Sequence, residues 1–265
     1  MTILKTQALT RRFGQTIAVD AMTISLERGE VFGLLGPNGA GKTTAIKMLV
    51  TLLPPTSGTA QIAGFDIVRN AGNVRCVIGY VPQMISADPS LTGYENLLII
   101  AKLYDLPRRE RAARISEALA LVDLTDAAAK LVRQYSGGMI RRLEIAQSTL
   151  HRPPVLFLDE PTVGLDPIGR KAVWNHIERL RADLDITIFL TTHNMEEAES
   201  LCSRVAIMHR GKIVIDDSPE RLKASIGGQQ PTLGDVFVHY AGDTLDSGGT
   251  YRETSRGRRA ARRLG

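Results

Sequence analysis

VFGLLGPNGAGKTT, at residues 31–44, is the most informative segment of this sequence. Its apolar first part, Val31–Leu35, predicts a buried strand that Gly36 ends. Apolar residues then recur at helical spacing from Ala45, and Pro54 and Pro55 are expected to stop this helix. A strand, a glycine-rich loop and a helix in this order predict a loop that wraps a phosphate group.

The residue types of this loop explain its chemistry. Its glycines let successive backbone N–H groups point at one anion, and the helix start adds a partial positive charge. Lys42 is expected to neutralise the β- and γ-phosphates of ATP, and the Thr43 hydroxyl to ligate Mg²⁺. A glycine-rich turn without a ligand is the alternative, but a chance match to G-x-x-x-x-G-K-[ST] is about one in a hundred. The nucleotide-binding candidates are Gly36, Pro37, Asn38, Gly39, Ala40, Gly41, Lys42, Thr43 and Thr44.

A second apolar run, at 155–158, ends directly in two carboxylates, Asp159 and Glu160. Ligands bind at the ends of the strands in a parallel sheet, so these carboxylates are expected beside the nucleotide. Asp159 would hold Mg²⁺, directly or through water, and Glu160 would act as the general base on the attacking water. Taken alone, the pattern fits a strand that runs into a solvated turn equally well; the upstream loop favours the catalytic interpretation.

The rest of the chain alternates between strand-like and helical patterns, which predicts an α/β protein with a mostly parallel sheet covered on both faces. Strands are predicted within 3–67 and at 77–81, 155–158, 186–190, 205–208 and 212–215, with a helix at about 169–182. The segment 91–150 is rich in Ala, Leu, Arg and Glu, which predicts an inserted helical lobe at about 84–150. The expected organisation is a nucleotide-binding domain at 1–226, a short element at 227–240 and a disordered tail at 241–265.

Composition is that of an ordinary globular protein, with 43% hydrophobic and 23% charged residues. No apolar run is long enough to cross a membrane, and the N-terminal residues lack a secretory pattern. Cys76 and Cys202 have no metal-like spacing and are expected to be reduced, as in a cytosolic protein.

Positive charge is concentrated at the C-terminal end. Residues 251–265 carry six arginines and one glutamate, which leaves 27 basic and 27 acidic residues elsewhere. A neutral body argues against a nucleic-acid partner. The basic tail is either a solvated, disordered end or a patch attracted to anionic lipid at the membrane surface.

The segment YSGGM, at 135–139, precedes IRRLEIAQSTLHRPP and the acidic strand, and it resembles the signature LSGGQ of ATP-binding-cassette (ABC) ATPases. Other marks of that family are Phe13, Gln83 in IGYVPQ, VGLD at 163–166 and His193 in LTTHNMEEAE. The resemblance covers about residues 2–215. Two departures are Met139, where glutamine is usual, and Val163, where a small or polar residue is usual.

The resemblance implies a P-loop (RecA-like) core, an N-terminal antiparallel β subdomain and a helical lobe that carries the signature. It implies that Phe13 stacks on adenine and that His193 contacts the γ-phosphate. The implied catalytic residues are Glu160, His193, Gln83 and Lys42, and the implied metal ligands are Thr43, Gln83 and Asp159. Ser136, Gly137, Gly138 and Asp166 are implied to complete the nucleotide site.

The resemblance also implies assembly. Two chains would sandwich two ATP molecules head to tail, with each signature helix facing the γ-phosphate of the other chain. GYVPQMISADPSLTGYENL, YSGGM, GLDP and PTLGDVF resemble single-domain ATPases of exporters, with daunorubicin-type antibiotic exporters nearest. In that arrangement a short helix of a separate membrane protein docks near Gln83, which places the ATPase on the cytoplasmic side of the membrane.

Three alternatives stay open at this point. An importer ATPase has the same fold. A cassette protein of translation or DNA repair usually carries two cassettes or long coiled coils, and neither is present. A nucleotide-binding regulator without turnover would not need Glu160 and His193.

Overall fold

The structure is a computed structural model that describes residues 1–227 and 231–242. The strands are β1 (Thr2–Phe13), β2 (Thr16–Met22), β3 (Ser25–Glu27), β4 (Val31–Leu35), β5 (Ser57–Ile62), β6 (Phe65–Asp66), β7 (Ile78–Val81), β8 (Val155–Asp159), β9 (Thr187–Thr192), β10 (Arg204–His209) and β11 (Lys212–Asp217). The helices are α1 (Lys42–Leu49), α2 (Ala71–Cys76), α3 (Gly93–Leu103), α4 (Arg108–Leu121), α5 (Gly137–Thr149), α6 (Pro167–Leu184), α7 (Met195–Leu201), α8 (Pro219–Ile226) and α9 (Leu233–Ala241).

The central sheet has six strands in the order β11-β10-β4-β9-β8-β7. All neighbours are parallel except β10 and β11, which form an antiparallel pair. Every residue of β4, β8 and β9 is buried, as expected for strands covered on both faces. The predicted, mostly parallel α/β sheet is therefore confirmed, and its three central strands end at the loops that carry the candidate site.

The N-terminal residues form a second, antiparallel sheet in the order β2-β1-β5-β6, with β3 also paired to β1. Its apolar face and helix α1 share one core with the central sheet, in which Phe32, Phe157 and Phe189 are fully buried. The predicted N-terminal antiparallel subdomain is thus present, and it supports the phosphate-binding loop from one side.

Helices α3, α4 and α5 form a lobe with its own core of Leu97, Ile115, Leu119 and Leu143. Thr92 begins α3 with a capping box, in which its hydroxyl accepts from the Glu95 N–H and the Glu95 carboxylate accepts from the Thr92 N–H. The inserted helical lobe is part of the confirmed fold, whereas the domain boundaries drawn from the sequence stay a prediction.

Local differences from the sequence-based expectation have physical reasons. Helix α1 ends at Leu49 rather than at Pro54, because Thr51 adopts a left-handed conformation (φ 64°) that no helix continues through. The strand expected up to residue 67 is interrupted at Ala63 and Gly64, which both have positive φ and turn the chain from β5 into β6.

The C-terminal element expected at 227–240 contains α9, which buries Leu233, Val236 and Phe237 against the core. The helix continues through Ala241, one residue into the predicted tail. The arginine-rich part of the tail lies outside the described residues. Within 1–227 and 231–242, no helix is long and apolar enough to cross a membrane.

Candidate nucleotide-binding and hydrolysis site

The phosphate-binding loop runs from the end of β4 to the start of α1. Its first residue, Gly36, is tied to the end of β9, because the Gly36 N–H donates to the Thr192 carbonyl (3.2 Å). Two of its glycines are required by close approach. A Cβ atom on Gly36 would lie 2.3 Å from the Met208 carbonyl oxygen, and one on Gly41 would lie 2.2 Å from the Ala18 carbonyl oxygen. Glycine is therefore needed at these two positions of the loop because neighbouring backbone leaves no room for a side chain.

Lys42 lies at the centre of this loop with its side chain 4% exposed. Its ammonium donates to the carbonyls of Gly36 (2.8 Å) and Pro37 (3.1 Å). It also pairs with the carboxylate of Glu160, with 3.1 Å between Nζ and Oε1. The lysine thus holds a full positive charge inside the loop, where a phosphate group would be bound.

Glu160 connects Lys42 to His193, the histidine predicted to contact the γ-phosphate. Its Oε2 atom lies 3.0 Å from Nδ1 of His193, while its own side chain is 5% exposed. The Glu160 N–H donates to both the carbonyl and the hydroxyl oxygen of Thr191 on β9. These bonds hold Glu160 at φ 49°, a left-handed conformation that non-glycine residues rarely adopt and that is common at functional sites.

Asp159 and Thr43 form the oxygen-rich part of the site. Asp159 Oδ1 accepts from the hydroxyls of Thr191 (2.6 Å) and Thr43 (3.3 Å). Burial raises the pKa of Asp159 above its usual value, and the two hydroxyl hydrogen bonds offset only part of that rise. A carboxylate beside a hydroxyl fits Mg²⁺, which prefers oxygen ligands and usually binds with one or two carboxylates plus substrate phosphates. Among the described residues, no cluster of three or more His, Cys, Asp or Glu is arranged to hold a metal ion.

The structure thus brings five of the predicted residues together: Lys42, Thr43, Asp159, Glu160 and His193. Phe13 lies at the end of β1, 48% exposed, with the Arg11 guanidinium 4.6 Å from its ring centroid. Gln83 is exposed on the loop after β7 and, in the described part of the chain, makes no hydrogen bond to Thr43 or Asp159. Among the described residues, no hydrogen bond joins Phe13 or Gln83 to this cluster of five.

The predicted signature caps α5 rather than lying in this cluster. The hydroxyl of Ser136 accepts from the Met139 N–H (3.3 Å), and both Ser136 and Gly137 are exposed. A Cβ atom on Gly137 would lie 3.3 Å from Leu165, and one on Gly138 would lie 3.4 Å from Gly169. The signature therefore lies against the VGLD segment and the start of α6.

Asp166 is exposed and caps α6 by accepting from the Gly169 N–H (3.1 Å). Val163 and Ile168 beside it are 43% and 80% exposed. Together with the signature, these residues form one exposed surface, which we call the signature face. It carries predicted nucleotide-binding residues that do not reach the phosphate loop of the same chain.

Sequence reasoning missed the side chains that hold the loop around Gln83. Arg141 on α5 donates to the carbonyls of Pro82 (2.7 Å) and Gln83 (2.9 Å) and pairs with Glu144 (3.1 Å). Glu144 Oε1 accepts from the Ser86 N–H and hydroxyl. An Arg–Glu pair three residues apart normally indicates a solvated helix face, so the sequence held no signal that both side chains are buried.

The fold and these residues define a nucleoside triphosphatase with a phosphate-binding loop. The sequence model of the ABC transporter family matches residues 19–163. The chain belongs to this family.

Curated relatives point to export. A daunorubicin resistance ATP-binding protein, DrrA3, of Streptomyces coeruleorubidus is 43% identical over 232 residues, which cover 88% of this chain and 72% of the relative. The daunorubicin/doxorubicin resistance ATP-binding protein DrrA of Streptomyces peucetius is 43% identical and covers 84% of this chain and 68% of the relative. The linearmycin resistance ATP-binding protein LnrL of Bacillus subtilis is 38% identical, covering 85% and 72%.

Solved structures agree with the fold. The ATP-binding subunit of an ABC transporter superposes with a TM-score of 0.79 at 27% identity, covering 90% of this chain and 99% of the other. Another, cbiO1 from Clostridium perfringens, part of the transporter complex cbiONQ, has a TM-score of 0.77 at 29% identity, covering 85% and 92%. Together, the family match and the curated relatives support an ATP-binding ATPase subunit of an exporter, and the importer alternative is not favoured.

Proposed function

We propose that this chain binds MgATP in its phosphate loop, hydrolyses it with Glu160 and His193, and thereby drives export through a separate membrane permease. The observation that carries the proposal is the chain of contacts from Lys42 through Glu160 to His193, each within 3.1 Å. It puts a phosphate-binding cation, a carboxylate base and an orienting imidazole side by side. The resistance proteins among the relatives support a drug, an antibiotic or another hydrophobic compound as the cargo.

Each residue has a distinct role in this mechanism. Lys42 would exchange the loop carbonyls for β- and γ-phosphate oxygens. Glu160 would take a proton from water as the water oxygen bonds to the γ-phosphorus and the bond to the bridging oxygen of ADP breaks. His193 would orient the water and contact the γ-phosphate. Thr43, Asp159 and Gln83 would hold Mg²⁺, which supplies charge neutralisation when bound.

A second copy of the chain is proposed to complete the site. The signature face is exposed and presents the start of α5, whose N–H groups and partial positive charge favour an anion. A signature that faces solvent in one chain fits a head-to-tail pair, in which it would approach the γ-phosphate on the partner. The apolar side chains of Val163 and Ile168 would then be covered.

The permease is proposed to dock in the groove between the central sheet and the helical lobe. A cavity of about 340 Å³ lies there, lined by Tyr80, Ile100 and Tyr104 among others. Met84 and Ile85, on the adjoining loop after Gln83, are 81% and 61% exposed. An exposed apolar rim around a groove is typical of a protein interface, and docking would hold the chain at the cytoplasmic face of the membrane.

Steady-state phosphate release from the purified chain tests the ATPase site. Lys42→Ala should lower ATP binding and turnover by about 100-fold or more, because it removes the buried charge opposite the phosphates. Lys47→Ala is the matched control, since it removes an exposed lysine from the same helix and should change turnover by less than about twofold. Equal effects of the two variants would overturn the assignment of the site. Co-purification from membranes would identify the permease.

A further inference from the structure

Glu197 is a buried carboxylate that the mechanism above does not use. It lies in the first turn of α7 and is 1% exposed. One oxygen, Oε1, accepts two hydrogen bonds, from the hydroxyl of Thr162 (2.7 Å) and from the indole N–H of Trp174 (2.9 Å). Buried charges are expensive unless they are paired or hydrogen-bonded, so this arrangement needs an explanation.

The partners of Glu197 belong to the two segments that carry the reacting groups. Thr162 lies in the turn directly after Glu160, where the Val163 N–H donates back to the Glu160 carbonyl (3.3 Å). On the other side, α7 begins immediately after His193, with Asn194 as its cap. Trp174 comes from the middle of α6 and holds the carboxylate from a third direction. A single oxygen atom of Glu197 therefore joins the turn after Glu160 to α7, the helix that follows His193.

We propose that Glu197 is a positioning residue for ATP hydrolysis, which fixes the separation of Glu160 and His193 through its hydrogen bond to Thr162. The inference rests on the proposed roles of those two residues. Glu160 sits in a rarely populated backbone conformation, so its position depends on surrounding contacts. The 3.0 Å approach of Glu160 to His193 requires both segments to be held at once.

Thr162→Val tests the positioning role of Glu197 with the smallest change, since it removes only the hydroxyl that donates to Glu197. The expected result is a fall in kcat of about tenfold with the Kd for ATP within about twofold, because the phosphate loop is untouched while the reacting groups shift. Thr149→Val is the matched control: it also removes a buried hydroxyl, one that donates to the Ile145 carbonyl within α5. It should lower Tm without changing kcat.

The His193→Ala background separates positioning from general destabilisation. If Glu197 acts through His193, Thr162→Val should change the residual kcat of His193→Ala by less than about twofold, while its effect on Tm persists. Glu197→Gln should keep kcat near that of the original chain, because its carbonyl oxygen can still accept both bonds.

Three results would overturn the inference: a kcat of Thr162→Val equal to that of Thr149→Val, an equal fall in both His193 backgrounds, or a large loss of kcat in Glu197→Gln. Glu160→Gln distinguishes this failure from a failure of the proposed function. Normal turnover in Glu160→Gln would refute the catalytic roles themselves, whereas lost turnover beside an unaffected Thr162→Val would refute Glu197 alone.

Discussion

At the scale of single residues, Glu160 contacts both the proposed phosphate-binding lysine and the proposed catalytic histidine. Its carboxylate holds Lys42 on one side and His193 on the other. Binding a triphosphate must free the lysine from the carboxylate, since both anions seek the same ammonium. The proposed base would therefore also compete with the substrate for Lys42.

Glu160→Gln should separate these two roles. Turnover should fall by about 100-fold or more, because an amide cannot take the proton from water. The Kd for ATP should stay equal or fall, because the neutral amide competes less for Lys42. Phosphate release and equilibrium nucleotide binding measure the two effects. Glu178→Gln, at an exposed position on α6, is the control, and normal turnover of Glu160→Gln would contradict the assignment of the base.

His151 should make the stability of the chain sensitive to acid. Burial lowers its pKa to about 4, and its ring stacks on Tyr104 with the centroids 3.8 Å apart. Nε2 lies 3.1 Å from the Ile78 carbonyl, and Nδ1 is buried with no hydrogen-bond partner among residues 1–227 and 231–242, so a second proton would find no acceptor there. In the unfolded chain a histidine titrates near 6.5. The contribution of His151 to the free energy of unfolding is therefore complete above pH ~6.5 and is lost as the pH falls toward 4.

His151→Phe tests this linkage, because phenylalanine keeps the stack but cannot be protonated. Urea unfolding between pH 4 and 6.5 should show a slope smaller than that of the original chain by up to about 1.4 kcal/mol per pH unit. The comparison is between the two slopes, since carboxylates and His176 titrate in both proteins. Identical slopes would mean that folding does not lower the pKa of His151.

At the scale of elements, the buried ion pair of Arg141 and Glu144 ties the loop around Gln83 to α5. Arg141 binds the carbonyls at the start of this loop, and Glu144 binds Ser86 at its end. Because α5 begins at the signature, a movement of the helical lobe would carry the loop with it. Gln83 is then positioned by the same helix that presents Ser136.

The order of stability among variants of this pair tests its burial. Arg141→Met should cost about 3–5 kcal/mol, because it leaves the Glu144 carboxylate buried and unpaired. The double variant Arg141→Met/Glu144→Leu should recover much of that loss. For the exposed pair Arg152 and Glu117, neutralising either partner should cost less than about 1 kcal/mol. Urea unfolding measures all of these; a double variant no more stable than the single would contradict the prediction.

The same elements explain what sequence could predict. The strand, loop and helix around Lys42 follow an order of residue types that is visible in the sequence, an apolar run, then glycines, then a helical pattern, so the sequence predicts them. Helix α2 was missed because it has six residues and buries only Val74, too little for a periodic signal. The end of α1 was missed because it depends on the backbone of Thr51 and not on a proline.

The residues of the candidate site also differ in how well the sequence predicts them. Asp159 and Glu160 follow an apolar strand, and the fold gathers them with Lys42 as the parallel sheet requires. Glu197 is different, because its partners lie 35 and 23 residues away and one of them is a tryptophan in an apolar cluster. Its environment is set by tertiary contacts, and in the sequence it stands as one of three glutamates in an ordinary helix.

At the scale of the whole molecule, the residues proposed to contact the nucleotide form two separate groups. The phosphate loop and its base lie at the ends of the central strands, whereas the signature lies against the VGLD segment on the signature face. Two copies related by a twofold axis would bring each signature to the other's nucleotide. Nucleotide-dependent association of two copies is therefore what the proposed function predicts.

Ser136→Asp should block this association without unfolding α5. Aspartate caps helices as well as serine does, so the bond to the Met139 N–H is kept. Its charge would face the γ-phosphate of the partner and repel it. Glu160→Gln is the background, because it is expected to retain ATP. In it, light scattering after size exclusion should find dimers with MgATP and only monomers once Ser136→Asp is added. Ser218→Asp, the equivalent change at the cap of α8, should leave the dimer intact. ATP-dependent dimers of equal affinity in Ser136→Asp would mean that the signature face does not meet the nucleotide.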